Sequence, residues 1–149
     1  MLFRSFAPNR NITRAEIVTL LVRAFEVPAG NGEHVFADAL NHWAKEAISR
    51  AAAANIVSGY NEDRFAPDQF ITREQLVAMV VRAAKLNNAV SPKTFTDQLQ
   101  ISDWALKAVQ IASATNTNII AGYPDGSFRP QATATRAEAV IIILKALQL

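Results

Sequence analysis

Gly122-Tyr-Pro-Asp-Gly-Ser-Phe128-Arg-Pro130, followed by Ala134-Thr135-Arg136-Ala137-Glu138, is the stretch that decides the fold. Its first half is a turn with a mechanism: Pro124 presets φ and Gly126 tolerates positive φ. Its second half starts a helix. In Thr-x-x-Glu the Thr hydroxyl accepts from the backbone N–H three residues on, and the Glu carboxylate reaches back to the Thr N–H. Working outward, the same signature recurs as Phe65-Ala-Pro67 with Ile71-Thr72-Arg73-Glu74-Gln75, and as Phe6-Ala-Pro8 with Ile12-Thr13-Arg14-Ala15-Glu16. In each copy Arg stands eight residues after Phe. Self-similarity of this kind marks a stack of repeats.

A second block occurs twice. Phe36-Ala-Asp38 leads to Trp43-Ala44 and Gly59-Tyr60, and Phe95-Thr-Asp97 leads to Trp104-Ala105 and Gly122-Tyr123. Aligned on Phe6, Met1 falls where Tyr60 and Tyr123 sit. One domain over 1–149 is therefore expected, with a half motif at 1–29 and full motifs at 36–87 and 95–149. Apolar residues follow each capping box at helical spacing, as in Ile17, Leu20, Leu21, Ala24 and Phe25. These helices are expected to end near Phe25, Leu86 and Leu147. Ile12 with Ile17, Ile71 with Leu76 and, more weakly, Ala134 with Ala139 form hydrophobic staples. The other half-repeat is expected to start at Asn41 or Ser102, both good N-caps. The fold class is thus all-α, helix–loop–helix repeats that must pack on one another.

Half of the 149 residues are hydrophobic and 19% are charged, a globular composition with a net charge of only +2. No Lys/Arg run points to nucleic acid. The absence of cysteine excludes disulfides and thiolate metal sites. The longest apolar stretch, Ala139–Leu144, is far too short to span a membrane, and no export signal is visible within the chain. The Ile141-Ile142-Ile143-Leu144 run is apolar on nearly every face and needs cover on several sides.

The ordered set Phe-x-Asp, Trp-Ala, Gly-Tyr, Pro-Asp-Gly-x-Phe-x-Pro and Thr-Arg-Ala-Glu resembles the S-layer homology motif. Phe95 to Leu147 follows it nearly throughout. Phe36 to Leu86 departs from it at Glu74-Gln75, which replaces Ala-Glu. The resemblance implies a pseudo-threefold domain with a central bundle and prongs, its first motif truncated. It implies a non-catalytic, calcium-independent anchor at the bacterial cell surface, exported by a signal outside this chain. The implied partner is an acidic, pyruvylated secondary cell-wall polysaccharide held in inter-repeat grooves; no cofactor, nucleic acid or transmembrane span is expected. The truncated motif leaves room for self-association or for a further chain. The alternative is a helical-repeat scaffold for protein partners.

Arg14, Arg73 and Arg136 occupy the first helical position. Their guanidinium groups suit a carboxylate, to which a helix N-terminus adds oriented N–H groups; the plain alternative is an exposed Arg beside an acid. Placing a cation there opposes the helix dipole, and accepting this three times hints at function. The completeness of their repeats favours the grooves near Arg73 and Arg136. Trp43 and Trp104 either stack on a sugar or anchor their helices in the core. Asp38 and Asp97 either accept sugar hydroxyls, as the resemblance favours, or cap a turn. Gly59 and Gly122 either admit the ligand to the backbone or only supply a turn. Tyr60 and Tyr123 either flank the groove or pack beneath the loop. Glu16 and Glu138 are explained by capping rather than catalysis, and His34 and His42 do not make a metal site.

Overall fold

The computed structural model describes residues 6–30 and 34–149; the expectation resting on Met1 lies outside them. Among the described residues there are five α-helices: α1 (Arg14–Ala24), α2 (Lys45–Ala53), α3 (Arg73–Ala83), α4 (Asp103–Ser113) and α5 (Arg136–Leu147). Short 3-10 turns cover Ala37–Ala39 and Gln98–Gln100. Extended structure is limited to three isolated antiparallel bridges. The all-α expectation holds.

The capping boxes form as the sequence predicts at α1 and α3, where the Thr13 and Thr72 hydroxyls accept from Glu16 N and Gln75 N and the two Thr N–H groups donate back to the Glu16 and Gln75 side chains. At α5 only half the box forms. Thr135 accepts from Glu138 N, while the Glu138 carboxylate takes the Thr135 hydroxyl instead of its N–H. All six staple residues are buried.

What closes the fold is between repeats. Ile12 N donates to Ala134 O, Ala134 N to Ile71 O, and Ile71 N to Ile12 O, at 3.2, 3.0 and 2.9 Å. The three lead-in segments therefore form a ring. Each following helix then donates its first N–H to the next repeat: Arg14 to Gln69 O, Arg73 to Ala132 O and Arg136 to Arg10 O, all at 2.8 Å. The second N–H groups, of Ala15, Glu74 and Ala137, go to the carbonyls of Pro67, Pro130 and Pro8. The usual orphan donors of a helix start are thus satisfied by a neighbour. From this ring α1, α3 and α5 pack mutually as a central bundle, α2 flanks α1, and α4 flanks α3.

The flanking helices correct the sequence reading. Asn41 does not cap α2, which starts at Lys45 behind Ala44 with no side-chain cap. His42 intervenes: its Nδ1 accepts from Ala44 N at 3.1 Å and its Nε2 meets Asp68 Oδ1 at 2.8 Å. Ser102 does occupy the N-cap of α4, but it donates its hydroxyl and N–H to Glu74 instead of capping. The substituted Glu74 is therefore the acceptor at the start of α4.

Beneath the prong loops lie two matching aromatic pairs, Phe36 with Phe65 and Phe95 with Phe128, each at 5.4 Å between centroids. Gly59 and Gly122 lie directly on them with φ of +71° and +81°. The loop after Gly59 closes through Asn61, whose Oδ1 accepts from Asp63 N and Arg64 N. The one after Gly122 closes by Gly126 N to Tyr123 O, with Asp125 accepting from Ser127. The absence of Pro and Gly from 61–64 is thus met by an Asx turn.

The central bundle is covered unevenly. Ala78 and Val81 of α3 are buried, being 1% and 5% exposed, whereas Ile141 and Leu144 at the same positions of α5 are 53% and 52% exposed. α4 packs on α3, and no second-layer helix among the described residues does so on α5.

A Cβ at Gly122 would sit 2.7 Å from the Phe95 ring and 2.9 Å from Ser127 O. Adding the positive φ, Gly122→Ala is expected to cost about 3 kcal/mol. A urea melt checks this; an unchanged midpoint contradicts it.

Candidate functional site

The first-position arginines share one tie. Arg14, Arg73 and Arg136 donate Nε to the carbonyls of Phe65, Phe128 and Phe6, at 2.9, 2.8 and 2.9 Å. All three are buried. This bond to the next repeat gives the arginines a structural reason to sit at a helix start despite the dipole. The expected contribution of helix N–H groups to an anion site is corrected here. The first two N–H groups serve the neighbouring repeat and the third serves the capping Thr, so only the guanidinium tips are available.

Those tips differ. Arg73 Nη1 is ion-paired with Glu138. Arg136 Nη1 is ion-paired with Glu16 at 2.6 Å, with both side chains buried. Capping alone therefore does not account for the two glutamates; each also neutralises an arginine from another repeat. Arg14 faces Gln75 in the equivalent place. Its terminal nitrogens make no hydrogen bond or ion pair with the described residues, and its guanidinium lies 4.7 Å from the Tyr60 centroid and 4.6 Å from that of Phe65. Burial pushes the Arg14 guanidinium below its ordinary value, opposed by Tyr60 and Asp38 and aided by Arg64. A desolvated cation with no direct ion pair is stabilised by an anion that reaches it.

Arg14 opens into a groove of about 290 Å³ assembled from three repeats. The first repeat supplies Arg14. The second supplies Gly59 and Tyr60 from the loop and Gln75 and Arg82 from α3. The third supplies Trp104. The groove of Arg73, about 330 Å³, holds Gly122, Tyr123 and Glu138 but no Trp. Trp43 lines a third cleft, with Arg23 between α1 and α2. Trp43 and Trp104 are 49% and 54% exposed, so neither is buried as a core anchor.

Asp38 and Asp97 lie behind the loops. Asp38 accepts from Phe65 N and Ala66 N at 2.9 and 2.8 Å, and Asp97 from Phe128 N and Arg129 N at the same distances. Both oxygens of each carboxylate are thereby used on the Phe-x-Pro backbone. The central residue there is held at positive φ in Ala66 and Arg129. Tyr60 OH accepts from Gln75 Nε2 at 3.0 Å, and Tyr123 stacks under both Arg73 and Arg129. Sequence reasoning missed Gln75 and Arg82 as groove residues. Their separation of two helical turns on α3 was the available signal.

These features define a helical-repeat module whose grooves are each walled by different repeats. The chain belongs to the S-layer homology domain family, which it matches at residues 35–77 and 94–140, more than half of its length. Domains of this family are non-catalytic and anchor proteins to the cell wall. The chain is 35% identical over 144 residues to an endoglucanase of Bacillus sp. (strain KSM-635), covering 93% of this chain and 15% of that protein. It is 35% identical over 152 residues to the cellulosome-anchoring protein of Acetivibrio thermocellus, covering 96% of this chain and 33% of the relative. It is 36% identical over 107 residues to a surface layer protein of Brevibacillus choshinensis, covering 69% and 9%. The chain thus spans a third or less of each of these relatives. No helix among the described residues is long and apolar enough to cross a membrane.

Glu16→Gln keeps a side chain able to cap, as Gln75 does, and removes only the charge facing Arg136. We expect a loss of about 2 kcal/mol in chemical denaturation. A loss below a few tenths contradicts a buried pair.

Proposed function

We propose that this chain anchors its parent protein to the bacterial cell wall by holding the carboxylate of an acidic, pyruvylated secondary wall polysaccharide in the inter-repeat grooves. One observation carries the reading: Arg14, 4% exposed and without an ion pair to any described residue, faces a groove that also presents Tyr60 and the half-exposed Trp104. A guanidinium can grip a carboxylate through two parallel N–H bonds, while an aromatic face takes the apolar side of a sugar ring. Gly59 and Gly122 act by letting the loops lie on Phe36 and Phe95, and so set the position of Tyr60 and Tyr123. We assign Asp38 and Asp97 to holding the loop backbone and not to ligand contact. The cargo would be the remainder of the parent protein, located peripherally at the cell surface.

A second reading, a helical-repeat scaffold for protein partners, draws on the exposed Ile141 and Leu144 of α5. It requires tight association with a purified protein and no affinity for glycan.

Co-sedimentation with purified wall sacculi decides between them. The chain is expected to pellet with native sacculi and to stay in solution once mild acid has removed the ketal. Equal binding to both preparations removes the pyruvate from the account, and no binding to either removes the glycan.

A further inference from the structure

We infer that the residue at the third position of each neighbouring helix decides which groove accepts an acidic ligand, and that Gln75 leaves the Arg14 groove as the one competent site; this rests on the glycan-anchoring reading. In each repeat, the arginine fixes Nε on a Phe carbonyl and points its tip at the third residue of the next helix. That residue is Glu138 for Arg73 and Glu16 for Arg136, and both are ion-paired. It is Gln75 for Arg14. The Gln75 amide is turned to local partners, Oε1 accepting from Thr72 N at 3.1 Å and Nε2 donating to Tyr60 OH at 3.0 Å.

The charge is displaced within the same turn, not merely missing. Glu74 carries an acid one residue earlier, but it is 4% exposed and holds the start of α4 through Ser102 N and Oγ, at 2.9 and 2.7 Å. Among the described residues, neither it nor any other carboxylate lines the Arg14 groove, whereas two guanidinium groups do, from Arg14 and Arg82. A ligand carboxylate entering there would make the first direct ion pair with a desolvated arginine. Entering the Arg73 groove, it would face Glu138, a like charge already holding the guanidinium. Repulsion between like charges at short range in a partly desolvated site disfavours the second event. Glutamate at the third position acts as a built-in substitute for the ligand's acid, and glutamine removes it.

The test is titration calorimetry with a soluble methyl glycoside bearing a pyruvate ketal, beside the sacculus assay. Thermal melts control for folding, since both exchanges keep a residue that caps elsewhere in the chain. Wild type is expected to bind one equivalent. Gln75→Glu is expected to weaken binding at least tenfold by giving Arg14 an internal partner. Glu138→Gln is expected to raise the stoichiometry from one to two. Sacculus binding with an unchanged Gln75→Glu affinity, or with one site in Glu138→Gln, overturns the groove assignment and leaves anchoring intact. Failure of wild type to bind either probe overturns both.

Discussion

The start of each central helix is completed by the next repeat, and the rest of the structure depends on this. Ile12, Ile71 and Ala134 bond in a closed cycle, and the first N–H of α1, α3 and α5 reaches a loop carbonyl of a neighbour while the second reaches the Pro carbonyl of its Phe-x-Pro segment. No repeat can satisfy its own helix start, so separation would leave donors unpaired on one side and carbonyls on the other. The same segments present the Phe carbonyls to the arginines and rest on Asp38 and Asp97. The grooves are therefore a product of closure, with walls that take their relative positions from the ring.

Closure also explains how one residue type can serve stability and, in the binding proposed above, recognition. Every first-position arginine spends Nε on the neighbouring backbone, which orients the guanidinium and leaves the tips of Arg14 and Arg73 over grooves. Where the next helix brings a glutamate, the tip becomes part of a buried ion pair. Where it brings Gln75, the tip has no ion pair with any described residue. A buried pair adds little net stability once desolvation is counted, though breaking it is costly. One side chain, Glu or Gln at the third helical position, thus decides whether the arginine tip is ion-paired within the protein.

Much of this was legible in the sequence because it is local. Capping boxes, staples, first-position arginines and the Gly-containing turns involve residues a few positions apart, and the structure places the three helix starts where Thr13, Thr72 and Thr135 put them. The partners across repeats were not legible. Nothing near Arg73 in sequence points to Glu138, and nothing near Asp97 points to the backbone of Phe128; only the ring brings them together. Glu74-Gln75 looked like a simple departure from the pattern, whereas Gln75 keeps the cap without the ion pair that Glu16 and Glu138 add to it, and Glu74 carries its charge to Ser102 at the start of α4. The start of α2 was misjudged because His42, by accepting from Ala44 N and meeting Asp68, imposes a tight turn where propensity favoured an Asn cap.

If the closed ring is the unit of folding, its amides open together. Native-state hydrogen exchange at Ile12, Ile71 and Ala134 tests this most directly, since each donates one bond of the cycle and belongs to a different repeat. The account predicts that all three exchange through global unfolding, with opening free energies that agree with each other and with the denaturation value. An Ile12 amide exchanging through a separate, lower-energy opening, while Ile71 stays protected, would contradict it and show repeats that fold one by one.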